Sequence, residues 1–167
     1  MKISIITVCL NSEGTIRDTI DSVISQDYSP IEYIIIDGDS TDATLDVIRE
    51  FGNDVSLIIS EPDGGIYDAM NRGIKLASGD IIGFLNSDDF YSSSSSLTQV
   101  MEVFRNTSTM SCYGDLCYVD KQDTSKINRY WKSSQFIPGN FSRGWGPPHP
   151  TFFVRSEIYQ KYGDFNL

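Results

Sequence analysis

Four apolar strands alternating with three amphipathic helices over the first ninety residues predict an α/β fold around a doubly wound, mostly parallel sheet. Two further observations support this. The strands are almost continuously apolar, as strands covered on both faces are, and each runs into a polar cluster. Lys2–Val8 is the first strand, rich in β-branched residues. Glu13–Gln26 follows as a helix with Ile16, Ile20, Val23 and Ile24 on one face. Ile31–Asp37 is the second strand. Thr41–Phe51 is the second helix, with Leu45, Ile48 and Phe51 inward and Ser40 or Thr41 as its N-cap. Val55–Ser60 is the third strand, and Ile66–Ala77 the third helix, turning Ile66, Ala69, Met70, Gly73, Ile74 and Ala77 to one side. Asp80–Leu85 is the fourth strand.

Beyond Asp89 the pattern loosens. A run of five serines, Ser92–Ser96, leads to a helix near Leu97–Arg105. Short strands are expected at Met110–Asp115, Leu116–Val119 and Lys126–Trp131. Gln135–Pro150, rich in Gly and Pro, reads as a loop. Thr151–Arg155 then reads as a strand and Ser156–Tyr162 as a short helix. One domain is expected over residues 1–167, with 1–90 as a ligand-binding half and 91–167 as a second, partial half.

The net charge of −10, from 23 acids and 13 bases, opposes general nucleic-acid binding, which needs a positive surface. An acidic chain can hold a phosphate-bearing ligand when a divalent cation bridges the two. Ile3–Ile6 is too short an apolar run for a signal peptide and no cleavage site follows it, and no stretch reaches the ~18 apolar residues of a membrane span. Cys9, Cys112 and Cys117 are odd in number and lack metal-site spacing, which suits a reduced, cytoplasmic setting.

Position makes the polar residues informative. Thr7–Asn11, Asp37–Asp42, Ser60–Gly65 and Asn86–Asp89 each follow a strand, and open α/β sheets bind ligands beyond the carboxyl ends of their strands. One polar loop needs no ligand to explain it; four on one edge describe a site. Asp88 and Asp89 are adjacent carboxylates that repel each other unless a cation lies between them. Hard oxygen ligands suit Mg²⁺ or Mn²⁺. Asp37 can accept a hydrogen bond from a pyrimidine or ribose, and Thr7–Asn11 leads into a helix N-terminus that favours negative groups. No Gly-x-Gly-x-x-Gly follows the first strand and no Gly-Lys-Ser/Thr occurs, which disfavours dinucleotide-binding dehydrogenases and Walker-type ATPases.

The run Ile36-Asp37-Gly38-Asp39-Ser40-Thr41-Asp42, the segment Glu61–Gly73 containing Gly65-Ile66-Tyr67-Asp68-Ala69-Met70-Asn71-Arg72-Gly73, and Leu85-Asn86-Ser87-Asp88-Asp89 together resemble glycosyltransferase family 2. Thr7–Asn11 and Gly79-Asp80 fit the same order and spacing, and Pro148–Arg155 is similar to a later, acceptor-side segment of that family. The resemblance implies a Rossmann-like nucleotide-diphospho-sugar transferase fold, the A-type glycosyltransferase fold, with a mostly parallel central sheet flanked by helices. It implies inverting transfer of a sugar from a nucleotide-diphosphate sugar donor to a saccharide or lipid-linked acceptor in bacterial cell-surface polysaccharide synthesis. By position, Thr7, Asn11 and Asp37 would line the nucleoside pocket, and Asp63, Asn71 and Arg72 would lie near the donor. Asp88 and Asp89 would hold ribose, metal and diphosphate.

Two departures stand out. Asp37-Gly38-Asp39-Ser40 replaces the Asp-Asp-Gly-Ser of many relatives, and Asn86 stands where an Asp-x-Asp form has its first Asp. The family's catalytic base, an Asp, is expected beyond Leu167, which implies a truncated chain; His149, the lone histidine, is a candidate contact or a ring stacked on Trp145 or Phe152. Tyr67, Met70 and Trp131 read as packing residues. A cytoplasmic enzyme at the inner face of the membrane, peripherally associated in its full-length form, is the expectation. A sugar-nucleotide-binding fragment without turnover and a nucleotidyltransferase are the alternatives. The latter needs a glycine-rich, basic loop after the first strand, and Thr7–Asn11 has none.

Overall fold

The computed structural model describes residues 1–167. Its strands are β1 Ile3–Cys9, β2 Ile31–Asp37, β3 Leu57–Ser60, β4 Ile81–Phe84, β5 Ser111–Cys112, β6 Leu116–Val119, β7 Ile127–Trp131 and β8 Phe153–Arg155. Its helices are α1 Ile16–Ile24, α2 Thr44–Arg49, α3 Ile66–Leu76, α4 Ser96–Phe104 and α5 Ser156–Tyr162. A six-stranded sheet runs β3-β2-β1-β4-β8-β5, and β6 and β7 form a separate hairpin. β1 pairs parallel with β2 and β4, and β2 with β3; β8 is antiparallel to both its neighbours. The expected α/β architecture with a mostly parallel sheet is therefore what the chain adopts. Because β8 pairs with β4, the two halves of the chain share one sheet.

Every residue of β1 is buried, as a central strand covered on both faces must be. Alternation sends Ile3, Ile5 and Cys9 to one face, where α1, α2 and α4 supply Ile16, Ile20, Val23, Ile48, Leu97, Met101 and Phe104. Ile6 and Val8 meet Ala69, Met70 and Ile74 of α3 on the other face, with Tyr159 and Phe165 alongside. Gly73 permits this contact: a Cβ there would lie 2.5 Å from Ile6 Cγ2.

Several element bounds differ from expectation, for local reasons. α1 starts at Ile16, because Ser12–Thr15 forms a turn whose Ser12 carbonyl accepts from the Thr15 and Ile16 amides. α2 is neither as long nor capped by Ser40 or Thr41. The Ser40 hydroxyl donates to Asp37, and Asp42 Oδ1 accepts the Thr44 amide at 3.0 Å. β3 starts at Leu57, behind a 3₁₀ turn at Gly52–Asp54. β5 is confined to two residues, and 3₁₀ turns at Phe141–Arg143 and His149–Thr151 interrupt the Gly- and Pro-rich loop and shorten β8. Ile24 and Ile66, expected inward, are 39% and 52% exposed. Gln26 orders the serine run: its Nε2 donates to the Ser93 carbonyl and its Oε1 accepts the Leu97 amide at 2.9 Å.

Away from the carboxyl edge, Glu32 ties three segments. It accepts Lys2 Nζ at 2.7 Å, the Ser78 amide at 2.8 Å, and the hydroxyls of Ser4 and Ser78. Burial raises the pKa of this carboxyl, but the hydrogen bonds from Lys2, Ser4 and Ser78 outweigh burial and bring it down to about 2. A carboxylate depressed from the usual ~4.3 stabilises the fold above that value and loses its contribution as pH falls toward its folded pKa. Glu32→Gln should therefore lower the melting temperature at pH 7 by roughly 2–4 °C, for a loss of about 1 kcal/mol after allowance for solvent screening. It should also flatten the decline of stability between pH 4 and pH 2, where protonation removes the same contribution from the wild type. Thermal melts across that range check both.

Candidate functional site

Parallel register places the ends of β1, β2 and β3 at one level: Cys9 pairs with Asp37, and Asp37 with Ser60. Asp37 is fully buried. Its Oδ2 accepts the Ser40 amide at 3.0 Å and Ser60 Oγ at 2.7 Å, and its Oδ1 accepts the Ser40 hydroxyl and, weakly, the Cys9 thiol at 3.5 Å. Burial, reinforced by Asp37, pushes the Cys9 thiol well up, so it stays protonated. A buried carboxylate without a cation needs several donors, and these hydroxyls and one amide supply them. The Asp37 carbonyl accepts the Glu61 amide, and the Gly38 amide donates to the Cys9 carbonyl. Three loops are thereby joined.

Asn11 extends the join. Held in the left-handed region at φ 50°, it accepts the Thr41 amide on Oδ1 at 2.9 Å and donates its own amide to Ser40 Oγ at 2.8 Å. Asp63 stands over Gly38: a Cβ on Gly38 would lie 2.7 Å from Asp63 Oδ2. The other oxygen, Oδ1, accepts the amide of Gly65, whose φ of 114° suits glycine at the start of α3. Arg72 braces this loop from α3, with Nη1 on Glu61 at 2.8 Å and Nη2 on the Pro62 carbonyl and Asp68.

β4 delivers the fourth loop, Leu85–Asp89. The Asp89 amide donates to the Asn86 carbonyl and Asn86 Nδ2 to Asp89 Oδ2, both at 3.0 Å. Thr19 on α1 holds the Asp89 carbonyl at 2.8 Å, and the Ser12 and Ser87 hydroxyls pair at 2.8 Å. Asp88 is exposed. Burial raises the Asp89 pKa, the Asn86 amide opposes this, and the Asp88 charge adds to the rise. Asn86 Oδ1 is buried without a hydrogen-bond partner. The loop thus presents two carboxylates beside an orphaned amide oxygen, a hard-oxygen set that suits Mg²⁺ or Mn²⁺. No group of three or more His, Cys, Asp or Glu side chains converges in the chain, so this is no closed cage. An open set leaves coordination positions for phosphate oxygens.

Other expected contacts lie elsewhere. Thr7 is wholly buried in β1 and pairs with the Tyr33 hydroxyl at 3.1 Å, so it has no surface for a ligand. Asn71, 6% exposed, gives both ends of its amide to the Phe165 backbone, each at 2.9 Å. It clasps the segment after α5 rather than facing the donor edge. His149 stacks on Phe84 at 5.9 Å between ring centroids, not on Trp145 or Phe152. Partial burial lowers its pKa, although the residue as a whole stays exposed. It lines a small cavity of about 280 Å³ with Met110, Tyr159 and Phe165, apart from Asp88 and Asp89. Met70 is core, Trp131 is half-buried beneath Arg129, and Tyr67 is half-exposed, its ring 5.4 Å from Phe165.

A larger cleft of about 660 Å³ is bordered by Asp88 and Asp89, whereas Asn11, Asp37 and Asp63 do not line it. Its walls come from Tyr91, α4, and Cys112–Val119 with Tyr130. The sequence reading passed over it, although Gly114-Asp115 closing a short strand is the same signal that marked the first four loops. Asp115 accepts the Tyr130 hydroxyl and the Ser133 amide, which hold its carboxyl below the usual range.

The sequence profile of Glycosyl transferase family 2 matches residues 4–163. The chain belongs to this family. It is 38% identical over 167 residues to an uncharacterised glycosyltransferase of Mycobacterium tuberculosis, covering 99% of this chain and 63% of the relative. A PGL/p-HBAD biosynthesis glycosyltransferase of Mycobacterium bovis is 37% identical, with 98% and 63% covered. A UDP-Glc:alpha-D-GlcNAc-diphosphoundecaprenol beta-1,3-glucosyltransferase of Escherichia coli is 35% identical over 105 residues, with 62% and 42% covered. The family 2 chain thus spans less than two thirds of the length of these curated relatives. In three dimensions it is similar to S. aureus TarS in complex with UDP (TM-score 0.73, 21% identity, 96% of this chain and 48% of TarS). It is also similar to a Pyrobaculum calidifontis mannosyltransferase in complex with GDP-Man and Mn²⁺ (TM-score 0.74, 19% identity, 98% and 47%). At these identities the likeness establishes the A-type transferase fold alone.

Gly38→Ala tests the close approach of Asp63. The obstructing atom ends a movable side chain, so stability should change by no more than about 0.5 kcal/mol. The displaced carboxylate should weaken binding of UDP or GDP at this edge by roughly fivefold, the worth of one hydrogen bond. Thermal melting and calorimetry on the same preparation separate the two effects.

Proposed function

We propose that this family 2 chain carries the donor site of an inverting glycosyltransferase. It would bind a nucleotide-diphosphate sugar across the carboxyl edge of β1–β4 and serve a saccharide or lipid-linked acceptor in bacterial cell-surface glycan or glycolipid synthesis. The observation that carries this reading is the Asn86–Asp89 loop, where two carboxylates and an unpartnered amide oxygen lie beside three loops locked together through Asp37. TarS and the Pyrobaculum mannosyltransferase, which share the fold, were captured with UDP and with GDP-Man and Mn²⁺. Relatives named for glycolipid synthesis and for a diphosphoundecaprenol acceptor support the acceptor class.

The residues suggest a division of labour. Asn11 and the Ser40–Thr41 turn shape the nucleoside end, with Asp37 fixing the turn from beneath. Asp63, steadied by the Gly65 amide and by Arg72 through the loop, would accept a hydrogen bond from the base or ribose of the donor. Asp88 and Asp89 would hold Mg²⁺ or Mn²⁺, which supplies Lewis-acid stabilisation of the departing nucleoside diphosphate. In a single displacement the acceptor oxygen bonds to the anomeric carbon, the carbon–phosphate-oxygen bond breaks, and the acceptor proton passes to a base. Asp115, the one further carboxylate lining the large cleft, has one oxygen engaged by the Tyr130 hydroxyl and the other by the Ser133 amide, which leaves it poorly placed to take an acceptor proton. That favours a second reading of this 167-residue chain as a donor-binding unit without turnover. A lipid-linked acceptor would also bring the enzyme to the inner face of a membrane; no helix of the chain is long and apolar enough to cross one.

Calorimetry with UDP-sugars and GDP-sugars, with Mn²⁺ and then with EDTA, tests the donor site. Binding should appear only with the metal, and Asp89→Ala should abolish it while leaving the melting profile of the metal-free protein near wild type. Metal-independent affinity unchanged by Asp89→Ala overturns the assignment. Donor hydrolysis assayed in the same samples distinguishes an active transferase from the binding unit.

A further inference from the structure

Between Asp123 and Glu157 the chain has no acid but five bases, Lys126, Arg129, Lys132, Arg143 and Arg155, in a protein of net charge −10. All 23 acids, against the other 8 bases, lie outside this stretch. Two of the five bases are engaged. Arg155 turns inward to the carbonyls of Phe104, Asn106 and Thr109, and Lys126 pairs with Asp123 at 3.0 Å. Arg129, Lys132 and Arg143 are exposed and form no ion pair, although Arg129 lies over the rings of Tyr118 and Trp131 and Lys132 lies close enough to Asp115 to help lower its pKa.

The same stretch exposes large apolar side chains. Phe136, Ile137 and Phe141 are 43%, 58% and 63% exposed. They are not loose. The rings of Phe136, Phe141 and Trp145 lie 5.2 to 5.7 Å apart, and Trp145 Nε1 donates to Ser134 Oγ at 2.7 Å. The Asn140 carbonyl accepts the amides of Arg143 and Trp145, so the loop holds its aromatic tip outward by its own hydrogen bonds. An exposed apolar patch rimmed by charge marks an interaction site. Bases without counter-ions call for an anionic partner, and clustered aromatic rings call for one that is apolar just below its charged surface. An anionic phospholipid bilayer has both properties: its headgroups attract exposed Lys and Arg, and its interface favours aromatic rings.

We propose that the loop 132–146, with Arg129 of β7 at its edge, docks on an anionic phospholipid surface. Phe136, Ile137 and Phe141 enter the headgroup region, and Arg129, Lys132 and Arg143 lie against the phosphates. The negative bulk of the protein does not prevent this. Beyond a Debye length of about 8 Å at physiological ionic strength its acids are largely screened from the bilayer. Their repulsion instead selects the orientation in which the acid-free loop 132–146 approaches, with Asp115, Asp120 and Asp123 of the hairpin region turned to its rim. The proposal rests on the membrane clause of the functional reading, but the docking itself needs neither donor nor acceptor.

Co-sedimentation with vesicles tests it, using phosphatidylcholine alone and phosphatidylcholine mixed with phosphatidylglycerol. The protein should pellet with the mixed vesicles only, and less as salt rises. Lys132→Gln and Arg143→Gln should each weaken partitioning roughly fivefold, the worth of one base at an anionic surface. Phe136→Ser with Phe141→Ser should remove the salt-resistant part, while Arg49→Gln on α2 should change nothing. Circular dichroism confirms that the variants fold, and a variant that does not fold is replaced by Ile137→Ser. Equal pelleting with both vesicle types, or none with either, overturns the proposal. Self-association in light scattering that the double serine variant abolishes, without vesicle binding, overturns it in favour of contact between two copies. UDP-sugar affinity measured without vesicles shows separately whether the donor site stands.

Discussion

The buried carboxylate of Asp37 is the constraint on which the carboxyl edge of the sheet depends. It sits where three parallel strands end at one level, and every hydrogen bond it accepts comes from the chain itself. A carboxylate without solvent or a cation is costly unless fully hydrogen-bonded. Its requirement for donors therefore draws Ser40 from the second loop and Ser60 from the third against the end of β2. Asn11 and Gly38 add backbone links to the first loop. The outcome is a rigid floor beneath the surface at which Asp63 stands. Rigid support of this kind is what precise placement of a ligand requires.

The Asn86–Asp89 loop is built on a different principle. Its carboxylates are left short of partners: Asp88 is exposed, Asp89 is half-buried with a raised pKa, and Asn86 spends its amide hydrogen on Asp89 while its oxygen has nothing. Hard-oxygen groups left in this state suit a divalent cation. Thr19 and Ser12, both at the α1 end of the neighbouring loop, hold the segment in place without neutralising it. The contrast between a satisfied Asp37 and an unsatisfied pair at 88–89 separates a structural acid from acids available for coordination. A bare count of polar residues does not make that distinction.

The clefts show how the second half contributes. Asp88 and Asp89 form the border between the strand-edge loops and the large cleft walled by α4 and the β6–β7 hairpin. The clasp between Asn71 and Phe165 closes the opposite face, where Phe165 meets Tyr67, Phe84, His149 and Tyr159. His149 is thereby drawn into an aromatic cluster on the α3 side of the sheet. The hairpin that walls the large cleft also carries Arg129 and leads into the aromatic loop, so one element borders both the cleft and the basic face.

Periodicity and loop polarity sufficed for the alternation of strands and helices, the parallel half of the sheet and the edge at which the site lies. Those properties follow from local hydrophobic pattern and from the geometry of parallel crossovers. Element ends were less legible, because competing partners set them: Ser40 is taken by Asp37 and leaves Asp42 to accept the Thr44 amide at the start of α2, and the distant Gln26 orders the serine run. Roles within the site were the least legible. Thr7 and Asn71 carry polar groups in motif positions, but Tyr33 and Phe165, brought up by folding, take them. The sequence by itself determined the α/β fold and the family, because strand pattern and motif spacing are local properties. Which acids are satisfied and which are left free to bind was decided only by tertiary structure, because a hydrogen-bond partner is a neighbour in space.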